Sequence, residues 1–254
     1  MKHIINIIVL LVLSAINNLD MVNTAYAQTA MQNVYGRGAV SLCGKWNALA
    51  DWACNGEYRK VWEERTPQGK TDFFEYSFDG TPLIDVPGDF NTQIDQMRYS
   101  ECWVWYKTVL NPSRMASLSG NPSQKSKLSE DWKLSRLFLY FGAVNYKADV
   151  WLNGEHIGSH EGGFTPFQVE VTGKLRDGDN ALIVRADNRR RADALPAEGF
   201  DWFGYGGITR EVFIVETPQT YIDDYFIGLG NSYVQLNGKA DGEKITIEIP
   251  ELKY

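Results

Sequence analysis

Cysteine and histidine are scarce, with three of each in 254 residues. Three cysteines cannot all pair within one chain, which excludes a disulfide-framework fold. A single Cys43–Cys54 bridge, or three small unpaired thiols at Cys43, Cys54 and Cys102, are both open. Only His156 and His160 are spaced to suggest a metal, and four residues along a strand span roughly 13 Å, too far for one ion unless the chain bends. Two satisfied histidines are the expectation, with no metal site. Basic residues are outnumbered: Lys plus Arg is 25 against 32 for Asp plus Glu, a net charge of −7. That field argues against nucleic acid as a partner. Gly36-Arg37-Gly38 lacks a third glycine and a following helix, and there is no phosphate-loop signature, so no cofactor is expected. No window carries a helical period of useful length.

Aromatic residues are plentiful: 8 Trp, 13 Tyr and 12 Phe. They suit a β-rich core or a surface that meets sugar rings. The chain opens on Met1-Lys2-His3, a nearly continuous apolar stretch from Ile4 to Ile16, and Ala25-Tyr26-Ala27. This is the pattern of a secretory signal peptide over residues 1–27, cut before Gln28. The apolar run is shorter than the ~20 residues that span a bilayer, although an uncleaved anchor is the competing reading. The expected location is therefore periplasmic or extracellular.

The rest reads as strands. Cys102 to Leu110 is apolar on both faces, as in a sandwich interior. Arg136 to Phe141 places Leu137, Leu139 and Phe141 on one face. Lys147 to Leu152 sets Ala148, Val150 and Leu152 against Lys147, Asp149 and Trp151, and Asn153-Gly154 then signals a tight hairpin. Phe167 to Val171, Ala181 to Ala186 and Glu211 to Val215 complete the set. Asn111 to Ser135, with seven serines and two prolines, reads as a long surface loop. Pro218 looks like a boundary, with further strands at Tyr221–Leu229, Tyr233–Leu236 and Lys244–Ile249. Short strands between Gly, Asn and Asp turns imply an antiparallel β-sandwich, an all-β fold.

One segment carries candidate chemistry: Phe200-Asp201-Trp202-Phe203-Gly204-Tyr205-Gly206-Gly207-Ile208-Thr209-Arg210. A carboxylate among large aromatics can accept hydroxyl hydrogen bonds while a ring packs on a sugar face. The same residues could instead form a turn whose aromatics plug the core and whose Asp caps a backbone. Arg189, Arg190 and Arg191 would favour an acidic sugar, or form a solvated basic loop.

Several runs, in order, carry a resemblance. They are Val86-Pro87-Gly88-Asp89-Phe90-Asn91, Trp103-Val104-Trp105-Tyr106, Phe141-Gly142-Ala143-Val144-Asn145-Tyr146, Trp151-Leu152-Asn153-Gly154, Gly158 to Phe167, Asp187-Asn188-Arg189 and Asp201 to Arg210. From about Gly44 to Pro218 the chain resembles the N-terminal sugar-binding domain of glycoside hydrolase family 2, which includes β-galactosidases, β-glucuronidases and β-mannosidases. The β-glucuronidase-like members are the most similar in flavour. The resemblance implies a jelly-roll (galactose-binding-like) β-sandwich over residues 28–218. Residues 219–254 would then be the first strands of an immunoglobulin-like β-sandwich, with a (β/α)₈ barrel beyond. In that family both catalytic carboxylates are barrel glutamates, one in an Asn-Glu pair, held about 5 Å apart for a retaining mechanism. This sequence has no Asn-Glu pair; Asn55-Gly56-Glu57 and Asn153-Gly154-Glu155 are turns. The implication is a chain without catalytic residues. By the same resemblance, Asp201 holds hydroxyls of a terminal β-linked sugar, Trp202 and Tyr205 shape the pocket rim, and Glu101 lies in a second substrate-side loop.

The expected function is the non-catalytic, sugar-binding N-terminal portion of an exported family 2 β-glycosidase, encoded as a truncated or split reading frame. The alternatives are a stand-alone secreted carbohydrate-binding module and a subunit-interaction domain. The expected partners are carbohydrate and either a second copy of the chain or a separately encoded barrel.

Overall fold

A computed structural model describes residues 28–65, 69, 76–117, 127–229, 233–240 and 243–250. The expected signal peptide, residues 1–27, lies outside the described residues, as does the 118–126 part of the serine-rich segment.

Two antiparallel sheets face each other. One has the order β1 (Gln28–Thr29), β10 (Phe167–Glu170), β6 (Arg136–Phe141), β13 (Val212–Thr217), β2 (Gly38–Ser41). The other runs β4 (Leu83–Val86), β3 (Gly44–Asp51), β5 (Trp103–Leu110), β11 (Asn180–Asp187), β8 (Lys147–Leu152), β9 (Glu155–Glu161). Period-two alternation supplies the core between them: Leu137, Leu139 and Phe141 from β6 meet Val104 and Tyr106 from β5, Ala148 and Val150 from β8, and Leu182 and Val184 from β11. This is the expected all-β sandwich. The Asn153-Gly154 hairpin is as expected too, with φ of 52° and 85° at its two central residues, as a type I′ turn requires. Residues after Pro218 add a separate three-stranded meander: β14 (Ile222–Leu229), β15 (Tyr233–Ala240) and β16 (Glu243–Pro250).

The two-faced apolarity of β5 has a specific cause. Its Val104 and Tyr106 enter the main core, while Trp103 and Trp105 point outward into a second cluster with Leu49, Trp151 and Ile183. Val61 and Phe78, from the connection between β3 and β4, cover that cluster. One cation is buried in it. The Arg185 guanidinium lies 4.1 Å over the Trp103 ring and pairs with Asp149 and Glu57. Burial disfavours an ionised Asp149, but hydrogen bonds from His156 and Ser159 and the charge of Arg185 outweigh it, holding the carboxyl below the usual carboxylate range. A lowered folded-state pKa stabilises the fold above the unfolded value, near pH 4, and that contribution is lost as pH falls through the folded value. Asp149→Asn is thus expected to cost about 3 kcal/mol at neutral pH, by leaving Arg185 short of a partner. Its denaturation midpoints should also fall less steeply than wild type below about pH 4.

One expectation needs correction. Asn111 to Ser135 is not simply a surface loop. Asn111 caps a short helix, α1 (Pro112–Ser117), through Arg114 N–H at 2.9 Å. Leu128 is fully buried and Trp132 sits in the main core. The serine-rich composition concealed two apolar anchors four residues apart. Of the two readings left open for the cysteines, the Cys43–Cys54 bridge is not formed. Cys43 Sγ faces the Val212 carbonyl at 3.8 Å, Cys54 packs against the tryptophan cluster, and all three thiols are free. Cys102 lies in the main core, where burial pushes its thiol up to about 12.

Candidate functional site

The candidate residues sit at the end of the second sheet where β5 begins and β11 ends. β11 leads into Asn188 and then a segment reaching Gly206, where a two-residue strand, β12 (Gly207–Ile208), pairs with β7 (Val144–Asn145). The backbone of this segment is fixed by three buried asparagines. Asn188 Nδ2 donates to the Gly204 carbonyl at 3.0 Å, Asn145 Nδ2 donates to the Tyr205 carbonyl at 2.5 Å, and the Gly206 N–H donates to Asn91 Oδ1 at 2.8 Å. Three consecutive residues are thus each held by one amide side chain. Two of those amides, Asn91 and Asn188, are anchored in turn. Asn91 Nδ2 donates to the Met97 and Ser100 carbonyls, and Asn188 Oδ1 accepts from Cys102 N–H at 3.0 Å. Gly206 is required by crowding, since a Cβ there would lie 2.4 Å from Asn188 Cβ and 2.6 Å from the Phe90 ring.

Above this cradle the side chains turn outward. Phe200 is 42% exposed, Trp202 55% and Tyr205 49%. Phe200 and Trp202 pack at 4.6 Å between ring centres, and Phe203 contacts Tyr205 at 5.3 Å and Tyr99 at 6.2 Å. Asp201 is exposed, and its carboxylate has no hydrogen-bond or ion-pair partner among the described residues. The turn reading of this segment, with aromatics in the core and Asp201 as a backbone cap, is therefore not the observed arrangement. An unpartnered acceptor beside exposed aromatic faces is chemically suited to hydroxyl groups on a ring with an apolar face.

The structure brings Asp201, Trp202 and Tyr205 together on one segment and places Glu101 at its base. Glu101 is engaged: its carboxylate accepts from the Arg190 backbone N–H at 3.2 Å and from Arg190 Nε, while Arg190 Nη1 donates to the Phe200 carbonyl at 3.3 Å. It braces the segment from below. The neighbouring arginines are occupied as well. Buried Asp187 accepts from Arg189 at 2.9 and 2.8 Å and from Arg191 at 3.0 Å, and Arg191 also faces Glu161. The run read as favouring an acidic sugar is neutralised by four carboxylate pairings.

The histidines have other partners. His160 stacks on Phe167 at 4.4 Å and contacts Thr165, while His156 contacts Ser159 and Asp149. Among the described residues no three His, Cys, Asp or Glu side chains converge on a metal position. Ser159, His156 and Asp149 are the residue types of a nucleophilic triad. Their geometry is wrong for one, because Ser159 Oγ at 3.1 Å and Asp149 Oδ1 at 3.5 Å both approach the same nitrogen, His156 Nε2.

The asparagine cradle was missed as a device. Asn91, Asn145 and Asn188 stand in the sequence runs that carry the resemblance, but nothing local distinguishes an asparagine that braces a distant backbone from one in a turn.

The comparisons agree with this architecture. The model of the glycosyl hydrolases family 2 sugar binding domain matches residues 52–218. A β-glucuronidase of Bacteroides fragilis is 41% identical over 104 residues, which is 41% of this chain and 15% of that protein. A β-glucuronidase of Felis catus is 28% identical over 247 residues, 82% of this chain and 34% of that protein. Among solved structures, Faecalibacterium prausnitzii β-glucuronidase superimposes with a TM-score of 0.63 at 27% identity, over 84% of this chain and 40% of that one. The chain thus spans about a third or less of the length of these curated relatives. A matched domain over most of the chain, on a two-sheet sandwich, makes this chain a member of glycoside hydrolase family 2.

Proposed function

We propose that the chain is the non-catalytic, sugar-binding N-terminal portion of an exported family 2 β-glycosidase, released by cleavage before Gln28. On this reading Asp201 accepts hydrogen bonds from hydroxyls of a terminal β-linked sugar, Trp202 and Tyr205 form the rim, and Glu101 acts by bracing the segment through Arg190. Residues 28–218 bind, residues 219–254 open an immunoglobulin-like sandwich, and the acid and nucleophile belong to the family's barrel. The observation that carries the reading is the free, exposed Asp201 carboxylate held above a rigid backbone cradle. The relatives' names, β-glucuronidase and β-galactosidase, support the sugar class.

The test is an activity assay. The purified chain is expected to release no product from chromogenic β-glucuronides or β-galactosides above a buffer blank. Binding contacts alone transfer no proton, and retention needs two positioned carboxyls. Turnover that one Asp or Glu substitution within the chain abolishes would overturn the non-catalytic assignment.

A further inference from the structure

The strands that end beneath the Asp201 segment start, at their other end, beside a groove. β5 runs away from the segment from Trp103 to Leu110, and β11 returns from Asn180 to Asp187. At about 3.3 Å per residue, the two ends are roughly 23 Å apart. The groove has a volume of about 490 Å³, within the size range of small-molecule sites. Trp62, Glu64, Lys107, Asn153, Arg176 and Asp179 are among its lining residues.

Three observations set it apart from an ordinary surface depression. The first is a tryptophan stack. Trp62 lies nearly parallel to Trp151, 5.0 Å away at 7°, and Trp151 packs on Trp105 at 5.1 Å. Trp62 is only partly buried, so a ring fixed from below remains accessible along the groove. The second is the backbone. Trp62 and Glu63 sit on a single 3-10 turn flanked by Lys60 and Glu64 at φ of 52° and 50°. These are two of the five non-glycine residues with positive φ among the described residues. Left-handed backbone at Lys and Glu is uncommon, and such conformations concentrate at functional sites.

The third is charge. Each carboxylate lining the groove already has a partner. Glu64 pairs with Lys107, Glu63 with Lys60 and Arg65, and Asp179 with Asn111 and Arg114. Arg176 is exposed, and its guanidinium has no partner among the described residues. The unmatched charge of the groove is therefore one cation beside one immobilised indole. A polyanion such as nucleic acid would meet Glu63, Glu64 and Asp179 as well, so a ligand with a single localised negative charge fits best. A pyranose ring presents an apolar C–H face to an aromatic surface, and a guanidinium binds a carboxylate or sulfate in a bidentate manner.

We infer that this groove is a second saccharide-binding site, which takes an acidic oligosaccharide with its ring against Trp62 and its carboxylate or sulfate on Arg176. The inference does not depend on the role of Asp201, and its test separates the two. The full chain is titrated by calorimetry with glucuronosyl-cellotriose, cellotetraose monosulfate and neutral cellotetraose, so that each acidic probe carries one anionic group. At least one acidic probe is expected to bind, with cellotetraose weaker by about tenfold or more, and the acidic probe that binds identifies the anion. Arg176→Gln should weaken that binding by about 10- to 150-fold, the range for a lost hydrogen bond to a charged group, and should remove most of its salt dependence. Its melting temperature should match wild type, because the residue is exposed and unpaired. Trp62→Ala should abolish binding at the groove. The inference is overturned if neither acidic probe binds at millimolar concentration, or if Arg176→Gln binds like wild type.

Discussion

Gly206→Ala is expected to destabilise the chain by about 3–5 kcal/mol and to abolish sugar binding at the Asp201 segment. The added methyl would lie 2.4 Å from Asn188 Cβ and 2.6 Å from Phe90 ring carbons. Neither neighbour can yield. Phe90 is fully buried, and Asn188 is tied to Cys102 N–H at one end and to the Ser100 and Gly204 carbonyls at the other. Relief requires the segment to lift, which breaks the Gly206 N–H bond to Asn91 and the Phe90 N–H bond to the Gly206 carbonyl. Overpacking costs about 1–3 kcal/mol and each buried polar group left unsatisfied about 1–3 kcal/mol. For a chain of this size the melting temperature should fall by roughly 6–20 °C. Asn188→Ala should give a loss of similar order, by orphaning the Cys102 N–H and the Gly204 carbonyl without adding bulk. A Gly206→Ala protein that melts with wild type would show that the cradle does not hold the segment.

Asp201→Asn should behave in the opposite way, with a large effect on function and little on the fold. The substitution keeps the shape and one acceptor but removes the charge. In an active enzyme made by joining this chain to a family 2 barrel, kcat/KM on a β-glycoside should fall about 10- to 150-fold, the equivalent of roughly 1.5–3 kcal/mol for a hydrogen bond to a charged group. Stability should change by less than about 1 kcal/mol, since the exposed carboxylate has no partner to lose. A backbone cap would instead tolerate Asn and lose about 1 kcal/mol on Asp201→Ala. The two variants, compared by melting temperature and kinetics, distinguish a ligand contact from a structural one.

The fold was legible where a local pattern has a local cause. Alternation in Lys147–Leu152 followed by Asn153-Gly154 specifies a strand and a type I′ hairpin with no help from the rest of the chain. Where the cause is distant, the sequence says less. The two-faced apolarity of β5 suggested a strand in a sandwich interior, but its outer face is covered by a local layer from the β3–β4 connection, which no periodicity announces. Leu128 and Trp132 were hidden in serine-rich surroundings because two anchors make no period. The site divides in the same way. Asp201, Trp202 and Tyr205 are contiguous, so their grouping was readable, whereas the cradle beneath them joins asparagines 43 to 97 positions apart through hydrogen bonds to someone else's backbone. The arginine run looked like a free basic patch because two of its three neutralising partners, Glu101 and Glu161, come from other strands and loops, while the third, Asp187, belongs to the preceding strand.

The central claim is that the Asp201 carboxylate contacts sugar. It is tested most directly by NMR titration of the isolated chain and its Asp201→Asn variant with methyl β-D-glucuronide and methyl β-D-galactoside, with melting temperatures recorded in parallel. A rim without the rest of a pocket buries little of its ligand, so weak saturable binding is expected, with shifts centred on Phe200 to Tyr205. With Asp201→Asn those shifts should vanish while the melting temperature stays at the wild-type value. Equal shifts in both proteins, or shifts that never involve residues 200–205, would contradict the account.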